Sequence, residues 1–383
     1  METFGCKVNQ YDSEKLVTDL VNAGFVLTLS QYARIVIVNS CMVTEIAENK
    51  VKKQIAKLKR QHKFVVLTGC IANRNIETDA DISIPEKSEI AKILSEKFTV
   101  ISTEHTASAS HRTRKFIKIQ DGCNRFCSYC IIPYAREKIY SKPLDEIILE
   151  AKDAADKGFK EIVLIGINLA THVTPLAEIV EKCSDIYGIE RIRLGSLEPD
   201  IFTDIERLAK LPKLCPHFHL SLQSGSDKIL KLMNRRYTTA EYSELVEKIR
   251  KFFPDCGITT DIIVGFPQET DSDFKQTLEF AEKIKFSKIH VFPYSKRSGT
   301  KAAEMPQIDE YVKTVRADVL KNLDKKLKWE FYRTQIGKEY PVLFEFEKNP
   351  NAHTGHTPNF MRINVPNTDK ISWQGKIMLT EVK

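Results

Sequence analysis

The sequence predicts an α/β protein with three parts: an amino-terminal parallel α/β domain (residues 1–105), a partial (β/α)6 barrel (106–333) and a small carboxy-terminal antiparallel β domain (334–383). Three observations predict this organisation. Short apolar runs alternate with helical stretches through both larger parts, which is typical of parallel sheets. A polar stretch, "STEHTASASHRTR" (102–114), separates those parts as a linker. After residue 333 the pattern changes to short β-prone runs divided by turns.

Composition excludes several classes of protein. A hydrophobic content of 42% and a charged content of 28% in 383 residues describe a globular chain with a sizeable core. No apolar run is long enough to span a membrane, so we expect a cytoplasmic protein with no membrane partner. The net charge of +7 permits a polyanionic partner. Nine cysteines, an odd number, favour metal ligation or catalysis over a disulfide framework.

The amino-terminal part repeats one unit, a strand that ends at a cysteine. "RIVIVNSC" (34–41) and "KFVVLTGC" (63–70) have this form, and "ETFGC" (2–6) is a shortened third copy. Helices are predicted over 13–24, opening on a Ser13 cap, and over 44–60, opening on Thr44. Because the carboxyl ends of parallel strands meet at one edge, we expect Cys6, Cys41 and Cys70 to lie on one rim.

The second part contains six predicted strands and, between them, predicted helices at 144–157, 174–186, 238–252 and 270–284. The strands are "RKFIKIQ" (114–120), "EIVLIGI" (161–167), "ERIRLGSLEP" (190–199), "HFHLSLQSG" (217–225), "GITTDIIVGFP" (257–267) and "SKIHVFPY" (287–294). A long helix is expected at about 307–333. Three further strands are expected in "KEYPVLFEFE", "NFMRINV" and "KIMLTEV".

Three cysteines follow the first barrel strand in "DGCNRFCSYC": Cys123, Cys127 and Cys130. A structural zinc site needs four protein ligands, so zinc would have to borrow a remote one. An iron–sulfur cube held by three thiolates leaves one iron open to an exogenous ligand. The spacing therefore favours an iron–sulfur cluster, with zinc as the alternative. The remaining cysteines, at 183, 215 and 256, are predicted to be ordinary buried thiols.

These residues resemble the radical S-adenosylmethionine (SAM) enzymes. The resemblance implies that the open iron chelates SAM, and that one electron from the reduced cluster cleaves it to a 5′-deoxyadenosyl radical. It also implies that Tyr129, before the last cysteine, lies against the adenine. Other cofactor contacts are expected from Gly166 and Asn168 in the strand-end loop "LIGIN" and from Ser221 and Gln223 in "LSLQSG". The strand "TDIIVGFPQET", with Asp261 near its start, is expected to pair with adenine through its backbone.

Nearly the whole chain resembles the methylthiotransferases. The resemblance rests on "TFGCKVNQYDSE", "VNSCMVTEIAENK", "TGCIANRN", "DGCNRFCSYCIIPYAR", "LSLQSGSDKILKLMNRRYT", "VGFPQETDSDF" and "VFPYSKRSGTKAA". It implies a second [4Fe-4S] cluster at Cys6, Cys41 and Cys70, SAM as both methyl donor and radical source, and a carboxy-terminal TRAM-like domain. The cluster ligands apart, no catalytic residue is assigned.

"GCKVNQYDSE" is most similar to the branch that converts N6-threonylcarbamoyladenosine, beside the tRNA anticodon, to its 2-methylthio derivative. The implied partners are the tRNA anticodon loop, a flavodoxin- or ferredoxin-type electron donor and a sulfur donor. Two other substrates stay open, isopentenyladenosine in tRNA and an aspartate on a ribosomal protein. A different class also stays open, a non-catalytic RNA-binding protein stabilised by zinc.

Basic residues concentrate in two regions and are expected to neutralise RNA phosphates. A third set in the carboxy-terminal domain combines charge with an aromatic side chain that can stack on bases. The first region comprises "HRTRK" (111–115), Lys118, Arg125, Arg136, Lys138 and Lys142; the second comprises Lys228, Lys231, Arg235 and Arg236; the third set is His356, Phe360 and Arg362.

Overall fold

The computed structural model describes residues 1–99, 112–345, 351–368 and 371–383. Within them the chain forms two compact units. The first contains the chain up to residue 99 together with Gly122–Ile139 and Ser295–Ala303, and the second contains the remainder. Most of the predicted linker lies outside the described residues, and the predicted domain boundaries stay a prediction. None of the described helices combines the length and apolar character that a membrane span requires.

The first unit alternates strands and helices. Its elements are β1 (Glu2–Thr3), α1 (Lys7–Asn22), β2 (Ile35–Ser40), α2 (Glu45–Arg60), β3 (Phe64–Gly69), α3 (Cys70–Asn73), β4 (Ile82–Ser83), α4 (Ile90–Lys97) and α5 (Ile132–Ala135), with a 3-10 turn at Lys87–Glu89. The four strands pair in parallel in the order β1-β2-β3-β4. The predicted parallel sheet is confirmed.

Helix α1 begins earlier than predicted. Cys6 is its N-cap, and Ser13 lies inside the helix instead of capping it. Ser13 is buried, its hydroxyl accepting hydrogen bonds from Thr3 Oγ1 (2.7 Å) and Asn39 Nδ2 (2.9 Å). The first turns therefore bury polar side chains against β2, and no apolar period marks them. Helix α2 begins after Thr44, as predicted, with the Thr44 hydroxyl accepting from the Ala47 amide.

The remaining strands and helices belong to the second unit, apart from α12 (Lys301–Glu304), whose first three residues lie in the first unit. They are β5 (Arg114–Lys118), β6 (Gln120–Asp121), β7 (Tyr140–Ser141), α6 (Leu144–Asp156), β8 (Glu161–Ile165), α7 (Leu176–Ser184), β9 (Arg191–Leu194), β10 (Ser196–Leu197), α8 (Ile205–Leu208), β11 (His217–Leu220), α9 (Asp227–Leu232), α10 (Thr239–Phe252), β12 (Gly257–Val264), α11 (Asp271–Ile284), β13 (Lys288–Pro293), α12 (Lys301–Glu304), α13 (Glu310–Arg333), β14 (Glu339–Phe344), β15 (Ala352–His356), β16 (Arg362–Pro366) and β17 (Ile377–Glu381), with 3-10 turns at Leu169–Thr171 and Pro199–Ile201.

Parallel strands in sequence order form the frame of this unit. They make two sheets, β5-β8-β9 and β10-β11-β12-β13, and a parallel bridge between Ile192 and Leu214 joins β9 to the segment that leads into β11. One face of the strands packs against the helices in a single apolar core. All six predicted strands are present, and the fold class is the predicted partial (β/α)6 barrel.

The last four strands form an antiparallel sheet in the order β16-β15-β14-β17. The sequence predicted three of them and missed β15. Its residues, "AHTGH", include a glycine and polar side chains and therefore resemble a turn. Gly355 is required there because a Cβ would stand 2.7 Å from the carbonyl oxygen of Leu343 on β14.

A buried carboxylate connects the antiparallel sheet to the barrel strands. Glu161 on β8 is fully buried and pairs with Arg191 Nε (2.8 Å) and Arg193 Nε (2.9 Å) on β9, and with Arg114 Nε (3.1 Å) on β5. The guanidinium groups on β9 donate onward to the carbonyl oxygens of Pro341, His356, Thr357 and Pro358. Burial raises the pKa of Glu161, but the three arginines outweigh it and lower that pKa to about 2.

Phe360 completes this junction. Its ring lies 4.7 Å from the rings of both His217 on β11 and His356 on β15, and the Arg193 guanidinium carbon is 4.6 Å from its centre. His356 is half-buried and contacts Glu345 through Nδ1 at 2.8 Å. These two half-buried rings hold the β domain against the barrel, and Arg362 is exposed; the role of the three residues in RNA contact stays a prediction.

Substitution of Glu161 by Gln should lower the free energy of unfolding by ~3–5 kcal/mol, because three buried guanidinium groups lose their shared carboxylate. Since the folded-state pKa is depressed, the stabilisation should be present above about pH 4.5 and lost as the pH falls towards 2, with a full size on the order of 3 kcal/mol. Urea unfolding at several pH values measures both effects.

The matched control is Glu190→Gln, which breaks the exposed pair with Lys160 (3.0 Å) and should change stability by less than ~0.5 kcal/mol. Equal effects from the two substitutions would contradict the structural role of Glu161.

Candidate functional site

The amino-terminal cysteine triad comprises Cys6, Cys41 and Cys70, which directly follow or lie just beyond the ends of β1, β2 and β3. Parallel pairing of Thr3 with Asn39, and of Ser40 with Gly69, sets these strand ends side by side. Cys41 and Cys70 are buried, whereas Cys6 is exposed. The structure therefore gathers the three predicted thiols at one edge of the sheet.

Two glycines keep this edge open for the sulfur atoms. At Gly5 (φ +97°) a Cβ would stand 2.7 Å from Cys41 Sγ, and at Gly69 (φ +84°) it would stand 2.6 Å from the Ser40 carbonyl oxygen. Both backbone conformations favour glycine. The backbone on either side of the triad thus approaches as closely as it can, which forms a cradle around the thiols.

Burial makes these thiols poor anions when they carry no metal. It raises the pKa of Cys41 to about 11 and also raises the pKa of Cys70. Neighbouring sulfur atoms of the triad contribute in the same direction, so the thiols are close enough to interact electrostatically. A metal centre that binds thiolates would displace their protons and remove this penalty.

A positive charge lies in the same place. Burial has the largest effect on the Cys70 pKa and raises it, and the positive charge of Arg136 acts against this. One terminal nitrogen of Arg136 contacts Asn9 Oδ1 at 2.5 Å and Asp12 Oδ2 at 3.3 Å, on the first turns of α1. Asn9 also donates through Nδ2 to the carbonyl oxygens of Phe4 and Ser40, both at 2.8 Å.

The three-cysteine loop (residues 122–131) holds Cys123, Cys127 and Cys130, all half-buried. It turns sharply: the Cys130 amide donates to the Cys127 carbonyl oxygen at 2.9 Å, and Phe126 has a positive φ of 47°. Gly122 (φ +73°) begins the loop where a Cβ would stand 2.3 Å from the Lys138 carbonyl oxygen. Tyr129 is half-buried in this loop. The loop belongs to the first unit, as does the amino-terminal triad.

The described part of the chain also contains one set of three potential metal ligands whose ligand atoms all lie within 4.8 Å of one another: His219, Asp261 and His290.

The remaining predicted site residues lie in the second unit: Gly166 and Asn168 follow β8, Ser221 and Gln223 follow β11, and Asp261 lies within β12. Gly166 has no room for a side chain, because a Cβ would meet Gln120 Oε1 and the Leu169 side chain at 3.0 Å. The backbone amide of Asn168 donates to Gln120 Oε1 at 2.8 Å, and the side-chain Nδ2 of Asn168 donates to Glu198 Oε2 at 2.9 Å. Asn168 Oδ1 is buried without a hydrogen-bond partner among the described residues. An acceptor in that position suits an incoming amine.

Glu198 is a functional candidate that the sequence analysis missed, and its partner Arg235 was predicted there only as a phosphate contact. Glu198 joins Asn168 to Arg235, whose terminal nitrogen lies 2.9 Å from Glu198 Oε1 and 3.3 Å from the Ser221 carbonyl oxygen. Tyr237 donates to the same Ser221 oxygen at 2.6 Å. The strand position of Glu198, in "GSLEP" after β10, was the available signal. A polar chain thus runs from β8 through β10 to β11.

Gln223 and Asp261 meet through their backbones. The Gln223 amide donates to the Asp261 carbonyl oxygen at 2.9 Å, and Gln223 is held at a positive φ of 71° although it is not glycine. The Asp261 carboxylate contacts His219 Nε2 at 3.3 Å, and His219 Nδ1 contacts Thr259 Oγ1 at 3.0 Å. With His290, which pairs with Asp261 in register, these side chains make a polar surface on the strand face opposite the helices. The sequence analysis missed both histidines.

The first predicted basic region is largely not a surface. Arg125, Arg136 and Lys142 are buried, Lys118 pairs with Asp121 at 2.9 Å, and Lys142 pairs with Glu150. Arg114 pairs with Glu161 and Glu345, and His111 lies outside the described residues. Lys138 is the exposed member in the described part of this region. Arginine is well suited to buried ion pairs with carboxylates, so a run of basic residues does not by itself indicate an exposed basic surface.

The second basic region is corrected at one position. Arg235 belongs to the buried pair with Glu198, whereas Lys231 and Arg236 are exposed. Lys228 contacts Asp273 at 2.6 Å and stays half exposed. The three isolated cysteines, Cys183, Cys215 and Cys256, are buried thiols as predicted. Burial raises the pKa of Cys183 and that of Cys256 to about 12.

Family models match both units. Residues 117–281 match the Radical SAM superfamily, and residues 1–88 match the Uncharacterized protein family UPF0004. A solved structure of the radical S-adenosylmethionine methyltransferase TsrM from Kitasatospora setae, with cobalamin and a [4Fe-4S] cluster bound, superposes with a TM-score of 0.59. It covers 76% of this chain and 74% of its own at 15% identity, which supports the fold alone. The barrel and its match define a radical SAM enzyme, a class that works with an iron–sulfur cluster and SAM.

Curated relatives are similar over most of the chain. The "Threonylcarbamoyladenosine tRNA methylthiotransferase MtaB" of Thermotoga maritima is 39% identical over 389 residues, covering 94% of this chain and 90% of the relative. The "tRNA-2-methylthio-N(6)-dimethylallyladenosine synthase" of Thermoanaerobacter sp. (strain X514) is 36% identical over 398 residues, covering 93% and 84%. The chain belongs to the radical SAM methylthiotransferase family, in its MtaB branch.

Substitution of Gly5 by Ala should lower the amount of iron that the protein holds after anaerobic reconstitution. The new methyl carbon would stand 2.7 Å from Cys41 Sγ and would push this sulfur atom away. Iron and sulfide analysis measures the loss. Gly158→Ala is the matched control, since Gly158 has a similar φ of +82° but no atom within 4 Å of the added Cβ. Full iron retention by the Gly5 variant would contradict the cradle described for the triad.

Proposed function

We propose that this chain is a tRNA methylthiotransferase that converts N6-threonylcarbamoyladenosine, next to the anticodon, to its 2-methylthio derivative with two [4Fe-4S] clusters. The observation that carries the proposal is the amino-terminal cysteine triad, gathered at one sheet edge in a chain that also has a radical SAM barrel and a three-cysteine loop. The three relatives at 37–39% identity are named as threonylcarbamoyladenosine tRNA methylthiotransferases, which supports this substrate.

The number of clusters follows from two separate sets of three thiols. Cys6, Cys41 and Cys70 would hold one cluster, and Cys123, Cys127 and Cys130 the other. Three thiolates on a four-iron cube leave one iron for an exogenous ligand. When bound, the two clusters and SAM would supply a cofactor radical, a methyl group and sulfur for insertion at an unreactive C–H bond.

The chain's own residues would then bind and orient these groups. Asn168 Oδ1, buried without a partner among the described residues, would accept from the methionyl amine of SAM, and Gly166 would let the backbone approach it. Ser221, Gln223 and Asp261 would contribute further contacts through the polar strand ends. Glu198 and Arg235 would fix Asn168 and the Ser221 carbonyl in place. Tyr129 would lie against the adenine.

Substrate RNA would be held by the exposed basic side chains that remain after the corrections above. The exposed basic side chain of the first unit is Lys138, and those of the second unit are Lys231, Arg236 and Arg362. Phosphate contacts of this kind weaken as salt rises. An anticodon loop presents an unpaired adenosine without melting a duplex. The proposal also requires an electron donor such as a flavodoxin or ferredoxin, a sulfur donor and a cytoplasmic location.

Replacing Cys6, Cys41 and Cys70 together by alanine should leave roughly four iron per chain where the wild type holds roughly eight. Reductive cleavage of SAM should persist and methylthiolation of tRNA should be lost, because the sites act separately. Iron analysis, deoxyadenosine release and nucleoside mass spectrometry measure the three quantities. The control is Cys183→Ala, a buried thiol outside both triads. Joint loss of cleavage and thiolation would contradict two separable sites, and protein that keeps zinc but no iron would favour the RNA-binding alternative.

Nucleoside mass spectrometry of tRNA from cells lacking the chain should show loss of 2-methylthio-N6-threonylcarbamoyladenosine, with accumulation of its precursor. Complementation with the wild-type gene should restore the modification, and the Cys6/Cys41/Cys70 variant should not. If methylthiolation of threonylcarbamoyladenosine is unchanged and the 2-methylthio derivative of isopentenyladenosine is missing, the other tRNA substrate would be assigned. Unchanged tRNA with an unmodified ribosomal-protein aspartate would assign the protein substrate.

A further inference from the structure

We propose that Arg136 is the countercharge of the amino-terminal cysteine triad, and that it stabilises the anionic cluster held there while tying that cluster to the three-cysteine loop. The inference rests on the proposed function, since it requires a cluster at Cys6, Cys41 and Cys70. It assigns a tuning role to a residue that contacts the cluster's ligands and not the substrate.

Arg136 is far from the triad in sequence but reaches it in the fold. The residue follows α5 directly, six positions after Cys130, and only 8% of its surface is exposed. Its guanidinium lies against α1, with one nitrogen 2.5 Å from Asn9 Oδ1 and 3.3 Å from Asp12 Oδ2. Asn9 in turn donates to the carbonyl oxygen of Ser40, the residue before Cys41, at 2.8 Å. These contacts fix a buried guanidinium against α1, the helix that Cys6 caps.

The charge balance around this guanidinium is favourable for an anion. Asp12 is nearly buried and is shared by two cations, Arg136 at 3.3 Å and Lys87 at 3.6 Å. Among the described residues, these two cations share one carboxylate, so this group carries a net positive charge. A four-iron core with three thiolates carries a net charge of about −1 when oxidised and about −2 after one-electron reduction. A nearby fixed cation therefore stabilises the reduced form more than the oxidised form.

Arginine is suited to this position. Its guanidinium stays protonated at all relevant pH values and presents several donors in a planar fork. One part of the fork can hold Asn9 and Asp12 while another donates to sulfur. Hydrogen bonds to cluster sulfurs and nearby charge are the means by which proteins set cluster potentials.

The same residue links the two cysteine sets within the first unit. Ile131, which precedes α5, and Ala135, its last residue, are buried in the core that also contains Met42 and Ile71, neighbours of Cys41 and Cys70. Asn73 Nδ2 donates to the Ala135 carbonyl oxygen at 2.7 Å. The segment that leaves the three-cysteine loop is therefore packed against the triad's own strand ends before it reaches Arg136.

The test isolates the amino-terminal cluster in the full-length chain. Cys123, Cys127 and Cys130 are replaced by alanine, and the protein is reconstituted anaerobically with iron and sulfide. Into this background are introduced Arg136→Gln, which removes the charge, Arg136→Lys, which keeps it, and Arg74→Gln, a control at an exposed arginine in the same unit. Iron content and an EPR-monitored redox titration are measured for each.

We expect Arg136→Gln to move the midpoint to a more negative potential, with the reduced-to-oxidised ratio at the parent midpoint falling roughly tenfold or more. Arg136→Lys should recover at least part of this ratio, and Arg74→Gln should match the parent. If Arg136→Gln loses its iron, recovery of iron by Arg136→Lys supports the proposal equally.

Two results would overturn the role of Arg136: a parental potential and full iron in Arg136→Gln, or equal losses in the Gln and Lys variants, which would show that charge is not the property that matters. A background protein that binds no iron at all would instead refute the second cluster in the proposed function, and the countercharge role with it. Circular dichroism of every variant checks that the fold is intact.

Discussion

Parallel pairing of β1, β2 and β3 is the constraint on which the rest of the first unit depends. It brings residues about 30 positions apart in sequence to one edge, and all three strands end at or near a cysteine. The same pairing buries two of the thiols, which raises the pKa of Cys41 and that of Cys70. An edge built in this way is costly for thiolates in the absence of a metal and of Arg136. Packing alone therefore does not explain why cysteines stand at these three strand ends.

The second unit meets the opposite problem, since it buries charge for structural reasons. Glu161 and its three arginines lie where the antiparallel sheet joins the barrel, with no solvent contact for the carboxylate. A buried ionic group of this kind is costly to assemble and more costly to break. It therefore favours one docking position of the β domain over near alternatives. The candidate site residues after β8 and β11, and Asp261 within β12, make other contacts.

Most strands and both cysteine sets were predictable from the sequence, because alternation of apolar runs and cysteine spacing are local signals. The sequence did not predict the start of α1, β15 or the burial of Arg114, Arg136 and Arg235. In each case the deciding partner is distant along the chain: Asn39 for Ser13, Glu345 for Arg114, Asn9 for Arg136. Buried polar residues carry no periodic pattern, and a basic side chain has the same letter whether it faces water or a carboxylate.

The unequal exposure of the amino-terminal triad has a chemical consequence. Cys6 faces solvent, whereas Cys41 and Cys70 are enclosed by the sheet edge and its glycines. An oxidant that attacks thiols would therefore reach Cys6 before the two enclosed cysteines of the triad.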